Sequence, residues 1–278
     1  MRESKFIDIN FYSNASWKGR MHSLLELLMA QTLLRPDKIG HRLDEDGLPL
    51  SLEQTLGLEG LWKEAQSITF SKQYPEYWLK LYRHLMRPKF AEPDWLNMGL
   101  DMAFFTTEEH AAHFLQLAKS LYQWGDMVYG FVAHPKDYKA QTWLPQQVII
   151  GNKLVGAVGD NEVMNALPGI FWANFFGPDY VDWFGREKFD RLPCYRLEEL
   201  PDGGRLILTS PSPLEYDASG ETQETIKSYL GRPAFGDVQH PERPTISPFR
   251  DGLIQLPDES ADWPQRLVDL HKQMFGDT

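Results

Sequence analysis

The sequence predicts an α+β protein: mixed or antiparallel sheets with helices packed on one face. Three observations lead there. Short runs with a two-residue apolar period occur at residues 6–12 and 127–133, as half-buried strands require. Separate runs with a helical period follow the first and precede the second, at residues 24–34 and 112–122. The stretch 167–189, LPGIFWANFFGPDYVDWFGREKF, is the densest aromatic segment in the chain and carries almost no charge before Asp179, so it has to be buried.

Taken in order, Phe6, Ile7, Ile9, Phe11 and Tyr12 alternate around Asp8 and Asn10, which predicts a strand with one buried face. Asn14 and Ser16 offer helix caps, and Leu24, Leu25, Leu28, Leu33 and Leu34 recur at helical spacing until Pro36 stops them. From Asp37 to Glu64 the signal weakens among Gly40, Gly47, Pro49, Gly57 and Gly60. Asp44, Asp46, Gly47 and Glu53 fit four positions of a calcium-binding loop, but Arg42 stands where the first carboxylate is needed. The reading there is a solvated acidic turn.

Residues 67–71 read as a short strand, and Tyr77, Trp78, Leu81, Tyr82, Leu85 and Met86 form an apolar stripe that predicts a helix. Pro88 and Pro93 then mark a lobe boundary, so the chain reads as a single domain, 1–278, with lobes 1–92 and 93–278 as its finer division. The second lobe opens with a strand at 97–105. Thr106 and Glu109 are spaced as a capping box, and Ala112, Leu115, Leu117, Ala118, Leu121 and Tyr122 carry a helix to Gly125. A strand at 127–133 completes a β-α-β order that echoes the opening of the chain without sharing its wording.

Residues 148–150 and 154–158 form a predicted hairpin around Gly151, Asn152 and Lys153. Further strands are expected at 194–197 and 206–208 around Asp202-Gly203-Gly204, and a Thr222-capped helix at 222–230, ended by Gly231. The Pro- and Gly-rich tract 231–248 reads as an ordered surface loop. Trp263, Leu267, Leu270 and Met274 predict a terminal helix.

The aromatic segment breaks at Gly177-Pro178. Residues 170–176, between Gly169 and Gly177, read as a strand covered on both faces. Pro178 suits a helix's first turn, where its missing N–H costs nothing, and Asp179 complements the helix N-terminus. Tyr180, Val181 and Phe184 then make one apolar face, and Gly185 ends the turn. Asn174 is the exception in this run, because its amide must find partners or face outward.

The wording of this segment resembles a signature of bacterial polymorphic-toxin immunity proteins, especially the type VI secretion immunity family and the related immunity protein fifty-two family. It stands here as Gly169, Phe171, Trp172, Asn174, Phe175, Phe176, Gly177, Tyr180, Val181 and Gly185. The resemblance implies a cytoplasmic α+β protein that neutralises a secreted toxin, a nuclease of restriction-endonuclease-like type, without catalysis of its own. Its implied partner is that toxin. The candidate contact residues are Asp179, Asp182 and Trp183 after the core strand, with Asp44 and Asp46 of the acidic turn.

Composition agrees with such a role and excludes others. The net charge is −11 and the isoelectric point about 5.2, which argues against a nucleic-acid backbone as main partner and suits solubility or a basic protein partner. Nine Trp favour a heavy aromatic core or a protein-binding face. A single cysteine, Cys194, excludes an internal disulfide and a multi-cysteine zinc site, and its neighbours read as a buried strand. Arg2, Glu3, Lys5 and Asp8 interrupt any secretion signal, and no membrane partner is expected.

No phosphate-binding loop, dinucleotide fingerprint, nucleophile elbow or His-Glu-x-x-His occurs, so no cofactor and no catalytic residue are assigned. The alternative is a metal-dependent hydrolase built on Glu109, His110 and His113, which share one helix face but need further ligands from elsewhere. Asp137-Tyr138-Lys139 has the form of the last part of a restriction-type nuclease site but has no strand-borne upstream carboxylate arranged for metal.

Overall fold

The computed structural model describes residues 4–40, 48–49, 57–64, 67–82, 94–142, 146–150, 153–157, 163, 165–237, 240, 243–249 and 251–255. Among them, residues 9–127 form one compact unit and residues 4–8 with 128–255 another. The fold is α+β, with antiparallel pairing among its strands. The acidic turn with Asp44 and Asp46 and the terminal helix around Trp263 lie outside the described residues.

In the 9–127 unit the elements run β1 (Phe6–Ser13, shared with the other unit up to Asp8), α1 (Met21–Met29), β2 (Lys38–Gly40), β3 (Leu48–Pro49), α2 (Leu58–Glu64), β4 (Ser67–Lys72), β5 (Tyr77–Tyr82), β6 (Asp94–Asp101) and α3 (Glu108–Trp124). The sheet order is β1-β6-β5-β4-β2-β3. Ile9, Phe11, Leu79, Leu96, Met98 and Leu100 are fully buried. So are Met21 and Leu24 of α1 and Phe114 and Leu121 of α3. Three tryptophans serve this unit's core: Trp17 lies 5.9 Å from Trp62 and 5.3 Å from Trp124, ring centre to ring centre, and its Nε1 donates to the Gly125 carbonyl at 3.1 Å.

Three local expectations change here. Residues 77–82 are a strand, not a helix. Tyr77, Leu79 and Leu81 are buried while Trp78 and Tyr82 are half-buried, and β5 pairs with β4 on one side and β6 on the other. The apolar stripe fitted both periods, and pairing on two edges decided between them. Helix α1 begins at Met21 rather than near Asn14 or Ser16; the Glu59 carboxylate of α2 accepts from the Met21 and Gly19 amides at 2.8 and 3.0 Å, so the cap comes from a distant helix. Helix α3 is capped by Thr107, whose hydroxyl accepts from the His110 amide at 3.2 Å, one residue later than the predicted capping box.

The other unit contains β7 (Met127–Ala133), α4 (Pro135–Thr142), β8 (Gln146–Ile150), β9 (Lys153–Ala157), β10 (Ala173–Phe176), α5 (Pro178–Phe184), α6 (Arg186–Phe189), β11 (Arg196–Glu199), β12 (Arg205–Leu208) and α7 (Glu221–Leu230). Its strand order is β11-β12-β10-β7, and β8 pairs with β9 as the predicted hairpin. Strand β10 is central: Asn174 stands opposite Ile207 on one side and Phe131 on the other. All four of its residues are buried, as expected of a strand covered on both faces.

Two further expectations are corrected. Helix α7 begins at Glu221 and is capped not by Thr222 but by Asp217, whose carboxylate accepts from the Thr222 amide at 3.2 Å and from the Ser219 amide at 2.9 Å. Cys194 is half-exposed and precedes β11 instead of lying in a buried strand; Pro193 ahead of it donates no ladder hydrogen bond.

Candidate functional site

The aromatic segment folds as strand, turn and helix. Gly177 donates from its amide to the Val128 carbonyl at 2.8 Å, holding the end of β10 to β7, and its own carbonyl accepts from Val181 at 3.0 Å to open α5. Pro178 occupies the first turn, and Gly185 ends the helix at φ +94°, a conformation that side-chain-bearing residues rarely adopt. Phe176, the last residue of β10, packs edge-on against Phe184 at 5.9 Å and Phe189 at 5.3 Å. Tyr129 of β7 and Tyr180 of α5 stand 5.7 Å apart, and burial raises the Tyr180 phenol above its ordinary value.

Asn174 solves its polar problem locally. It is fully buried, its Oδ1 accepts from the Phe171 amide at 2.9 Å and its Nδ2 donates to the Phe171 carbonyl at 2.8 Å. The amide thus closes the bend before β10 by satisfying both backbone groups of one residue. Trp172 is buried and ties the segment to the chain after β12 through Nε1 and the Ser210 carbonyl at 3.0 Å. Gly169 accepts on its carbonyl from the Tyr129 hydroxyl at 3.2 Å, and a β-carbon there would collide with the Gln141 amide.

This scaffold fixes the surface of α5. Asp179 and Asp182 are exposed and Trp183 is half-buried, its ring 4.8 Å from Phe184 and edge-on to Tyr180 at 6.1 Å. Partial burial and then the Asp182 charge raise the Asp179 carboxyl from its ordinary value. Asp182 pairs with Arg186 at 2.8 Å in an exposed i,i+4 bridge. The result is a half-buried Trp183 flanked by two exposed carboxylates, one of them paired with Arg186.

A second polar feature lies in the same unit. His134, Asp137, Trp172, Tyr216, Asp217 and Gln223 are among the residues around a cavity of about 30 Å³. The His134 and Tyr216 rings stack at 5.5 Å and 10°. Asp137 is buried and accepts from Gln141 Nε2 at 2.7 Å; burial pushes its carboxyl up to about 6, opposed by the Gln141 hydrogen bond, Lys227 and Gln223. Gln141 in turn donates to the Ile170 carbonyl at 2.6 Å and accepts from the Ile170 amide at 3.1 Å. Asp137 therefore lies in helix α4, above the aromatic segment, and not on a strand as a nuclease carboxylate would be.

The histidines of α3 stand differently. His110 Nδ1 contacts the Phe104 carbonyl at 2.6 Å and its ring stacks on Phe104 at 4.6 Å. Among the described residues no group of three His, Cys, Asp or Glu side chains is placed to hold a metal ion. No helix among them is long and apolar enough to cross a membrane.

The cavity was invisible in the sequence. His134 and Gln223 are separated by most of the unit, and Asp137 stands out in the sequence only through its Asp-x-Lys spelling. No local pattern marks residues that meet through tertiary packing.

No family model matches the chain, and no curated protein matches it by sequence. Among solved structures it is similar to the Pseudomonas aeruginosa T6SS protein PA0821, with a TM-score of 0.52 and 13% identity over 98% of this chain and 86% of that one. At that identity the likeness is one of fold.

Proposed function

We propose that this chain is an immunity protein: it binds a cognate secreted antibacterial toxin in the bacterial cytoplasm and neutralises it by protein contact, without catalysis. The observation that carries this reading is the segment 169–185, whose wording resembles the immunity families and which forms a single rigid strand–turn–helix unit ending in the Asp179, Asp182 and Trp183 surface. The fold shared with a T6SS protein and the net charge of −11 support it. The toxin is a nuclease of restriction-endonuclease-like type, whose basic substrate-binding face is drawn to acidic residues and held by Trp183.

The experiment is growth rescue. The neighbouring gene is induced in a sensitive host with and without the chain. Protection by the wild-type chain, weakened by Asp179→Lys with Asp182→Lys, supports the reading. Growth arrest that the folded, expressed chain does not relieve overturns it.

A further inference from the structure

The cavity beside α4 and α7 has the chemistry of a cation site. Gln223 is 5% exposed, its Oε1 is buried without a hydrogen-bond partner, and it lines the cavity. Its amide interacts with the Asp137 carboxyl, so the carbonyl end is left over as an acceptor. An unpaired buried acceptor is costly and rare in folded proteins, so a donor belongs there.

The rest of the lining agrees on the sign of that donor. Asp137, Glu215 and Asp217 contribute carboxyl groups, and no Lys or Arg is among the lining residues. Asp217 is held ionised by Ser219, whose hydroxyl donates to it at 2.6 Å, and by the Thr222 amide. The basic group that acts on Asp137, Lys227, is paired with Glu224 at 2.8 Å, and Arg232 reaches the same carboxylate at 3.2 Å. The stacked His134 and Tyr216 rings add an aromatic wall, which favours a cation with apolar flanks over a bare metal ion.

We propose that this cavity binds a nitrogen cation bearing N–H donors, a guanidinium or primary ammonium head group, with Gln223 Oε1 and the Asp137 carboxylate as acceptors. The head group belongs either to a basic side chain of a bound protein or to a free amine. The first source rests on the immunity reading; the site itself does not.

The test titrates methylguanidinium chloride and methylammonium chloride into the ¹⁵N-labelled full chain, with sodium chloride as ionic-strength control. Expected is saturable movement of the Gln223 side-chain amide and of the Trp172, Tyr216 and Asp217 backbone amides by at least one of the two cations. Gln223→Leu, checked for an unchanged melting profile, weakens binding about tenfold or more, as loss of a charge-assisted hydrogen bond implies. Asp137→Asn, which keeps the side chain's shape, weakens it as well. Shifts no different from sodium chloride, as a cavity holding only water would give, overturn the proposal. So does binding that Gln223→Leu leaves unchanged.

In the toxin complex, loss of methylguanidinium binding assigns the occupant to a partner side chain, and retained binding assigns it to a free cation. Failure of growth rescue with retained cation binding would overturn the immunity reading and leave the site standing.

Discussion

Asn174→Leu tests the structural core of the account. The side chain is fully buried and makes two hydrogen bonds, at 2.9 and 2.8 Å, to the amide and carbonyl of Phe171. Leucine keeps the branched outline but is bulkier and offers neither donor nor acceptor, so its methyls also crowd the two backbone groups. Each of the two stranded backbone groups then bears a desolvation penalty of about 1–3 kcal/mol, so the variant should lose about 2–6 kcal/mol. The bend at Phe171 also positions Phe171 against Phe131, ring centres 4.3 Å apart, so the loss extends into packing. Urea unfolding followed by Trp fluorescence and by far-ultraviolet circular dichroism measures it, with coincidence of the two probes checking for two-state behaviour. A variant within about 0.5 kcal/mol of wild type, below the range for even one stranded group, would refute the reasoning that this amide closes the bend.

Other outcomes follow from the same geometry. Gly185→Ala should cost about 1–3 kcal/mol, because φ +94° is strained for alanine even though space around it is open; thermal unfolding reads it. Burial raises Asp137 from its ordinary 3.8 to about 6, and Asp8 in β1 to about 7. The unfolded chain releases these protons at lower pH than the native one, so their contribution lowers stability as pH climbs through that window and is constant above it. Asp137→Asn removes its share. Relative to wild type it should therefore be more stable at about pH 7 than at about pH 4 by about 2 kcal/mol, and a pH-independent difference in urea midpoints would contradict the shift. Asp182→Lys removes only an exposed bridge and should change stability by less than about 0.5 kcal/mol, while slowing toxin association and flattening its salt dependence in stopped-flow measurements.

Much of the fold was legible, and where it was not the cause is physical. Strong local signals survived folding: the alternation of β1, the Pro178 start and Gly185 stop of α5, and the hairpin of β8 and β9. Two caps come from outside the helix they serve. Glu59 serves α1 across the sequence, and Asp217 reaches back over the turn to serve α7 where Thr222 had looked sufficient. The stripe at residue 77 fitted helix and strand alike until pairing on both edges decided it. The placement of Asp179, Asp182 and Trp183 on α5 was readable because they follow a marked turn. The cation cavity was not, because its members come from α4, the segment before β10, the loop after β12 and α7.

The measurement that bears most directly on the central claim is calorimetric titration of the purified chain with the purified product of the neighbouring gene, with nuclease activity assayed on the same samples. The account predicts tight one-to-one binding without added metal, loss of nuclease activity in step with occupancy, and weaker binding for Asp179→Lys with Asp182→Lys. A folded chain that neither binds the toxin nor inhibits it would contradict the account.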